Sequence, residues 1–88
     1  MRDYYSWRQL IADEMEAYRD ATDVVFSTLS DDELDVKFDV SFGGSNGKAF
    51  TLWTQRRVYF PVVYDGSEWV GSVPRHPCDE ETPHQGGE

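Results

Sequence analysis

The strongest constraint on the fold lies between Arg57 and Val73. Two runs rich in β-branched and aromatic residues, Arg57–Tyr64 and Ser67–Val73, flank the pair Asp65-Gly66. Asp-Gly between two apolar runs is the signature of a tight hairpin whose central residues take positive φ. The two runs therefore predict antiparallel neighbours joined by a two-residue turn. A third run, Phe50–Thr54, precedes them and completes a three-stranded antiparallel meander. Pro61 has no amide hydrogen for a ladder, which places it at an edge, a bulge or a non-bonded position. Alternation sets Tyr59, Pro61 and Val63 opposite Val58, Phe60, Val62 and Tyr64, so both faces of the sheet are apolar.

The front of the chain carries a different period. Tyr4, Trp7, Ile11, Met15 and Tyr18 recur every three or four residues and predict an amphipathic helix from Tyr4 to about Asp20, with Asp3 placed to cap it. Leu10 and Ala17 widen the stripe, and Asp13, Glu16 and Asp20 recur on another face. Ala21-Thr22-Asp23 reads as the exit. Asp23–Thr28 fits either a short strand or a connection that packs Val25 and Phe26 inward. Ser30 and Glu33 then form a capping box, with Leu29 positioned to staple onto Leu34. A second helix is expected from about Asp31 to Phe38. Phe42–Gly47 reads as a loop, and the Pro- and Gly-rich tail beyond Pro74 as flexible at its end.

The expected fold is thus α+β: an N-terminal helix and a short capped helix packed on a three-stranded antiparallel sheet. Residues 1–78 form one domain and residues 79–88 an acidic, flexible tail. A chain of 88 residues fits one modest core. One cysteine excludes an internal disulfide framework. The N-terminus lacks the apolar core of a signal peptide, and no apolar run approaches the ~20 residues of a membrane span. A cytoplasmic setting is expected.

Charge is unevenly spread. From Asp13 to Asp39 ten carboxylates face only Arg19 and Lys37, a net charge of −8. From Val40 to Cys78 four bases face Asp65 and Glu68, a net charge of +2. An acidic block attracts a basic partner and repels phosphate, so direct nucleic-acid binding is disfavoured. Carboxylates three or four apart on a helix lie ~5–6 Å from one another, comparable to neighbouring phosphates along a strand. Asp13, Glu16 and Asp20, with Asp31, Asp32, Glu33 and Asp35, would present such a row to a channel lined with Lys and Arg. The plainer alternative is a solvated surface that confers solubility.

Other candidate chemistries lack support. A phosphate loop needs Gly five residues before Gly47-Lys48 and Ser or Thr after it, where this chain has Phe42 and Ala49. His76, Cys78, Asp79 and His84 lack the paired spacing of a zinc site. Nothing near Cys78 supplies a base or an oxyanion hole. The aromatics Trp53, Tyr59, Phe60, Tyr64 and Trp69 read as sheet packing rather than a base-stacking platform. No catalytic motif is present, so the expectation is a protein that is not an enzyme and binds no cofactor or metal.

One further pattern spans about two thirds of the chain. It comprises Leu34-Asp35, Phe38-Asp39, Gly43-Gly44, Phe50-Thr51 with Trp53-Thr54, Arg57–Pro61, Tyr64-Asp65-Gly66, Glu68–Arg75 and Pro77-Cys78-Asp79. In these residues the chain resembles small acidic proteins encoded by phages and other mobile elements. The resemblance implies an inhibitor of anti-CRISPR type in the host bacterial cytoplasm, acting by DNA mimicry. Its partner would be a basic nucleic-acid-binding host protein, such as a subunit of a type I CRISPR surveillance complex. The chain would be a monomer or homodimer with no membrane contact. The alternative is a small phage structural or regulatory protein that self-associates through its aromatic sheet face.

Overall fold

Ser6 and Gln9 decide where the first helix begins. In the computed structural model, which describes residues 4–40 and 46–86, Ser6 Oγ accepts from the Gln9 amide at 3.2 Å. Gln9 Oε1 accepts from the Ser6 amide at 2.9 Å. This reciprocal capping box fixes Ser6 in an extended conformation (φ −100°, ψ 160°) and starts α1 at Trp7–Ala17. The residues before it leave the helix as strand β1, Tyr4–Ser6. The expected start at Tyr4 is therefore corrected by one turn, and Asp3 lies outside the described residues.

The helix ends on a Schellman motif. The Arg19 amide donates to Glu16 O at 3.1 Å and the Asp20 amide to Met15 O at 2.8 Å, while Arg19 takes φ +55°. A left-handed residue reverses the chain, and Arg fills a position that usually holds Gly. The chain then enters β2, Val24–Ser27.

Ser30 caps α2, Asp31–Leu34: its hydroxyl accepts from the Glu33 amide at 3.2 Å, and Glu33 Oε1 accepts from the Ser30 amide at 2.9 Å. Leu29 and Leu34 are both buried in the core, as a staple requires. The helix stops at one turn rather than reaching Phe38, because Val36, Phe38 and Val40 alternate with Lys37 and Asp39. That period of two yields β3, Lys37–Asp39, which pairs antiparallel with β1 in a two-stranded ribbon.

Strands β4 (Leu52–Thr54), β5 (Arg57–Tyr64) and β6 (Ser67–Pro74) form the expected meander. The Asp65-Gly66 turn takes φ +52° and +81°, as a type I′ hairpin demands. The sheet has four strands rather than three, in the order β2-β4-β5-β6, because β2 joins the β4 edge. β4 pairs only with Val58 and Tyr59 of β5. Pro61, two residues further on, pairs with Val70 of β6 alone, so its missing amide leaves the ladder to β4 intact.

Cross-strand register sorts the faces. Leu52, Tyr59 and Ser72 share the inner row, which α1 covers. Trp53, Val58 and Val73 share an outer row, extended by Phe26 on β2. Trp7 organises the core beneath α1. Its ring lies 4.7 Å from that of Phe38 and 4.9 Å from that of Phe50, and its Nε1 donates to Lys48 O at 2.8 Å. Ile11, Leu29, Leu34, Leu52 and Val70 complete the buried cluster. Gly47 lies against this cluster so closely that a Cβ there would sit 2.5 Å from Trp7 and 2.7 Å from Phe38. Buried Glu68 holds the same segment, accepting from the Asn46 amide at 2.6 Å and the Gly47 amide at 3.0 Å.

After β6 the chain returns along the sheet. Glu80 contacts Arg57, Gln85 lies over Gly71, and Gly86 lies against Val62 and Val63. Among the described residues, no helix is long and apolar enough to cross a membrane.

Candidate functional site

The seven carboxylates of the expected acidic row divide into four groups. Asp13 and Glu16 on α1 and Asp32 on α2 are exposed and form no ion pair among the described residues. Asp31 and Asp35 are exposed but share Arg8. Arg8 Nε donates to Asp35 Oδ1 at 2.5 Å, and Nη2 reaches Asp31 Oδ1 at 3.3 Å and Asp31 O at 3.2 Å. This fork ties α1 to α2, and both carboxylates hold the guanidinium above its usual range. Glu33 binds Lys48 Nζ and the Ser30 amide, which together draw its carboxyl down to about 2.

Asp20 does not belong to that row. The Schellman turn at Arg19 swings it off the helix face and into the protein, where it is 5 % exposed. Its Oδ2 accepts from Tyr59 Oη and Thr54 Oγ1, both at 2.6 Å. Its Oδ1 accepts from the Thr22 amide at 3.0 Å and from Thr22 Oγ1 at 2.5 Å. Burial opposes ionisation, but the bonds from Thr22, Thr54 and Tyr59 outweigh it and hold the carboxyl well below the usual range. Burial, then Asp20, pushes the Tyr59 phenol above its ordinary value.

This buried cluster continues through Arg57, which follows Thr54 on the inner face. Its amide donates to Thr54 Oγ1 at 2.9 Å. Its guanidinium lies 3.9 Å from the centre of the Tyr18 ring. Nε donates to Ser72 Oγ at 2.9 Å, and Nη1 and Nη2 donate to the two oxygens of Glu80, each at 2.9 Å. Ser72 Oγ donates onward to Glu14 Oε2 at 2.8 Å. Burial opposes the charge on Arg57, but Glu80 more than compensates it. No buried side-chain nitrogen or oxygen among the described residues lacks a partner. Asp20, Thr54 and Tyr59 are buried, so the centre of the cluster is closed to solvent and acts on the fold, while Glu14 and Glu80 carry its outer end to the surface.

Sequence periodicity could not find this network. Its members come from the end of α1, β4, β5, β6 and the tail, and only the packed topology brings them together. The one local hint was Thr54 and Arg57 on the inward phase of the β4–β5 alternation.

Among the described residues, no three of His, Cys, Asp and Glu converge as metal ligands. Cys78 is free and exposed beside His76, in a shallow cleft that Arg56, Arg57 and Glu80 also line. Gly43 and Gly44 lie outside the described residues. Compared with known protein families, with curated proteins and with solved structures, the chain gives no match.

Proposed function

We propose that this chain is a non-enzymatic inhibitor that occupies a basic nucleic-acid-binding groove on a host protein, presenting carboxylates where the groove expects phosphates. The observation that carries the reading is the Arg8 fork. By tying α1 to α2 it holds the acids of two separate elements, Asp13 and Glu16 on one and Asp31, Asp32 and Asp35 on the other, in a fixed relation. A fixed array of charge binds a basic groove with less ordering cost than acids on a floppy chain. The likeness to small acidic phage proteins directs the proposal to a type I CRISPR surveillance complex. The carboxylates that form no ion pair among the described residues, Asp13, Glu16 and Asp32, make the principal contacts.

The test is competition between this protein and labelled target DNA for purified surveillance complex, at low and moderate salt. The inhibitor displaces DNA, and displacement weakens as salt rises. The triple variant Asp13→Lys, Glu16→Lys, Asp32→Lys keeps its circular dichroism and melting profile but no longer displaces DNA. Undiminished competition by that variant would remove the mimicry model. A second reading is self-association through the outer sheet face, favoured by the apolar row Phe26, Trp53, Val58 and Val73. It requires a stable dimer mass that does not respond to salt.

A further inference from the structure

An apolar notch opens where α1, α2 and the edge strand β2 meet. Its volume is about 180 Å³, and Ile11, Ala12, Met15, Val24, Leu34 and Leu52 form its walls and floor. That is on the order of the ~150 Å³ apolar cavity that takes up benzene in another protein. The floor is continuous with the core, since Ile11, Leu34 and Leu52 belong to the buried cluster. The outer wall is open: Val24 is 52 % exposed and the adjoining Val25 also 52 %. Apolar surface of this kind on a sheet edge marks a place where another chain docks.

The charge around the notch identifies the occupant. From Asp20 through Val36 the chain has no Lys or Arg. Exposed Asp23 precedes β2, Asp31 lines the notch, and Asp32 follows it on α2. Glu16 stands one turn beyond Ala12 on α1. Among the described residues that line the notch, the one cation is Arg8, already engaged by Asp35 and Asp31. A second copy of this chain, also carrying a net charge of −9, would bring like charge to like. The register shift between Val24 and Phe26 also breaks the edge ladder, which disfavours pairing β2 with another β2.

We infer that this notch receives one bulky apolar side chain, aromatic or branched aliphatic, from an extended partner segment in which that residue is flanked by Lys or Arg. The inserted side chain replaces water on Ala12, Met15 and Val24, and the flanking bases meet Glu16, Asp23 and Asp32. The inference rests on the proposal of a basic partner and adds how that partner is recognised. Acids alone would accept any polycation, whereas the notch selects one with an apolar residue in register.

The probes are two amidated, acetylated peptides of equal charge, Lys-Arg-Phe-Arg-Lys and Lys-Arg-Ala-Arg-Lys, titrated into the ¹⁵N-labelled protein at ~0.15 M salt. The Phe peptide is expected to shift the Ala12, Met15, Val24 and Leu34 amides and to bind at least about tenfold tighter than the Ala peptide. Ala12→Leu fills the notch from an exposed helical position and should erase that difference. Val24→Ser tests the opposite wall and should weaken the Phe peptide alone. Melting curves of both variants confirm that they fold. Equal binding of the two peptides, or indifference to both variants, would overturn the notch and leave the basic-partner proposal standing. Failure of both peptides even at low salt would overturn the two together. A sedimentation mass of two chains, with notch amides shifting on dilution, would assign the site to a second copy and overturn the peptide.

Discussion

Replacing Asp20 by Asn tests the reassignment of that residue from surface to core. Thr22 presents a fixed backbone N–H to Oδ1, so the carbonyl oxygen of the amide must take that side. The NH₂ group then faces Thr54 Oγ1 and Tyr59 Oη. Thr54 Oγ1 already accepts from the amides of Arg56 at 3.2 Å and Arg57 at 2.9 Å, so its lone pairs are taken. One polar hydrogen of the amide is left without an acceptor, and two charge-assisted bonds are lost. A bond to a charged group contributes ~1.5–3 kcal/mol, and a stranded buried donor costs ~1–3 kcal/mol. Thr54 recovers part of this through Arg57 O, 3.4 Å away. The expected loss is about 3 kcal/mol, a large share of the roughly 4–13 kcal/mol available to 88 residues. Urea unfolding followed by tryptophan fluorescence measures it. Asp13→Asn, the same chemical change at an exposed site, should stay within ~0.5 kcal/mol. Tyr59→Phe combined with Asp20→Asn should cost less than the sum of the single changes. If Asp20→Asn matched Asp13→Asn, or the double variant were additive, the buried-anchor argument would be wrong.

Three other expectations follow from the same geometry. The Asp20 carboxyl is held below its unfolded value of 3.8 and the Tyr59 phenol above its unfolded value of 10.0. Asp20 contributes stability above pH ~4 that fades as pH falls further, and Tyr59 contributes stability below pH ~10 that fades as pH rises. The urea midpoint should therefore plateau between those limits, and Asp20→Asn should flatten its acid side. Arg19→Gly relieves the left-handed residue of the Schellman turn and should raise stability by about 0.5–1 kcal/mol, read as a higher melting temperature. Gly47→Ala sets a methyl against ring carbons of Trp7 and Phe38 and should lower stability by about 1–3 kcal/mol, with loss of near-ultraviolet dichroism from the Trp7 environment.

What the sequence made legible was local. The Asp65-Gly66 turn, the Ser30–Glu33 box and the alternation of β5 and β6 each lie within a few residues, and each appears as expected. The boundaries went astray where two local signals competed. Leu34 and Phe38, four apart, suggested a longer second helix, while Val36, Phe38 and Val40 carried the strand period that prevailed. Ser6-x-x-Gln9 is a capping box as plain as the second one, yet the apolar stripe starting at Tyr4 masked it. β2 was ambiguous because four apolar or small residues at a sheet edge have no period of their own. The turn at Arg19 left no mark, since a left-handed position filled by Arg cannot be told from an ordinary helical one. That single dihedral moved Asp20 from an expected contact surface to the centre of a buried network.

The consequence reaches beyond one residue, because it changes what net charge means for this protein. Of the carboxylates between Asp13 and Asp39, Glu14 accepts from Ser72, Asp20 anchors Tyr59 and Thr54, Glu33 holds Lys48, and Asp31 and Asp35 share Arg8. These five do internal work, and the last two also fix the relation between α1 and α2. The proposed partner would therefore meet a smaller, better-ordered set of charges than composition implies. Reversing all seven acids of the expected row would unseat Asp20 and break the Arg8 fork, so lost binding would report only lost structure. Reversing Asp13, Glu16 and Asp32 alone leaves every bond of the framework in place. Binding lost in that variant is lost at the surface, and for this chain it separates a mimic of nucleic acid from a merely soluble acidic protein.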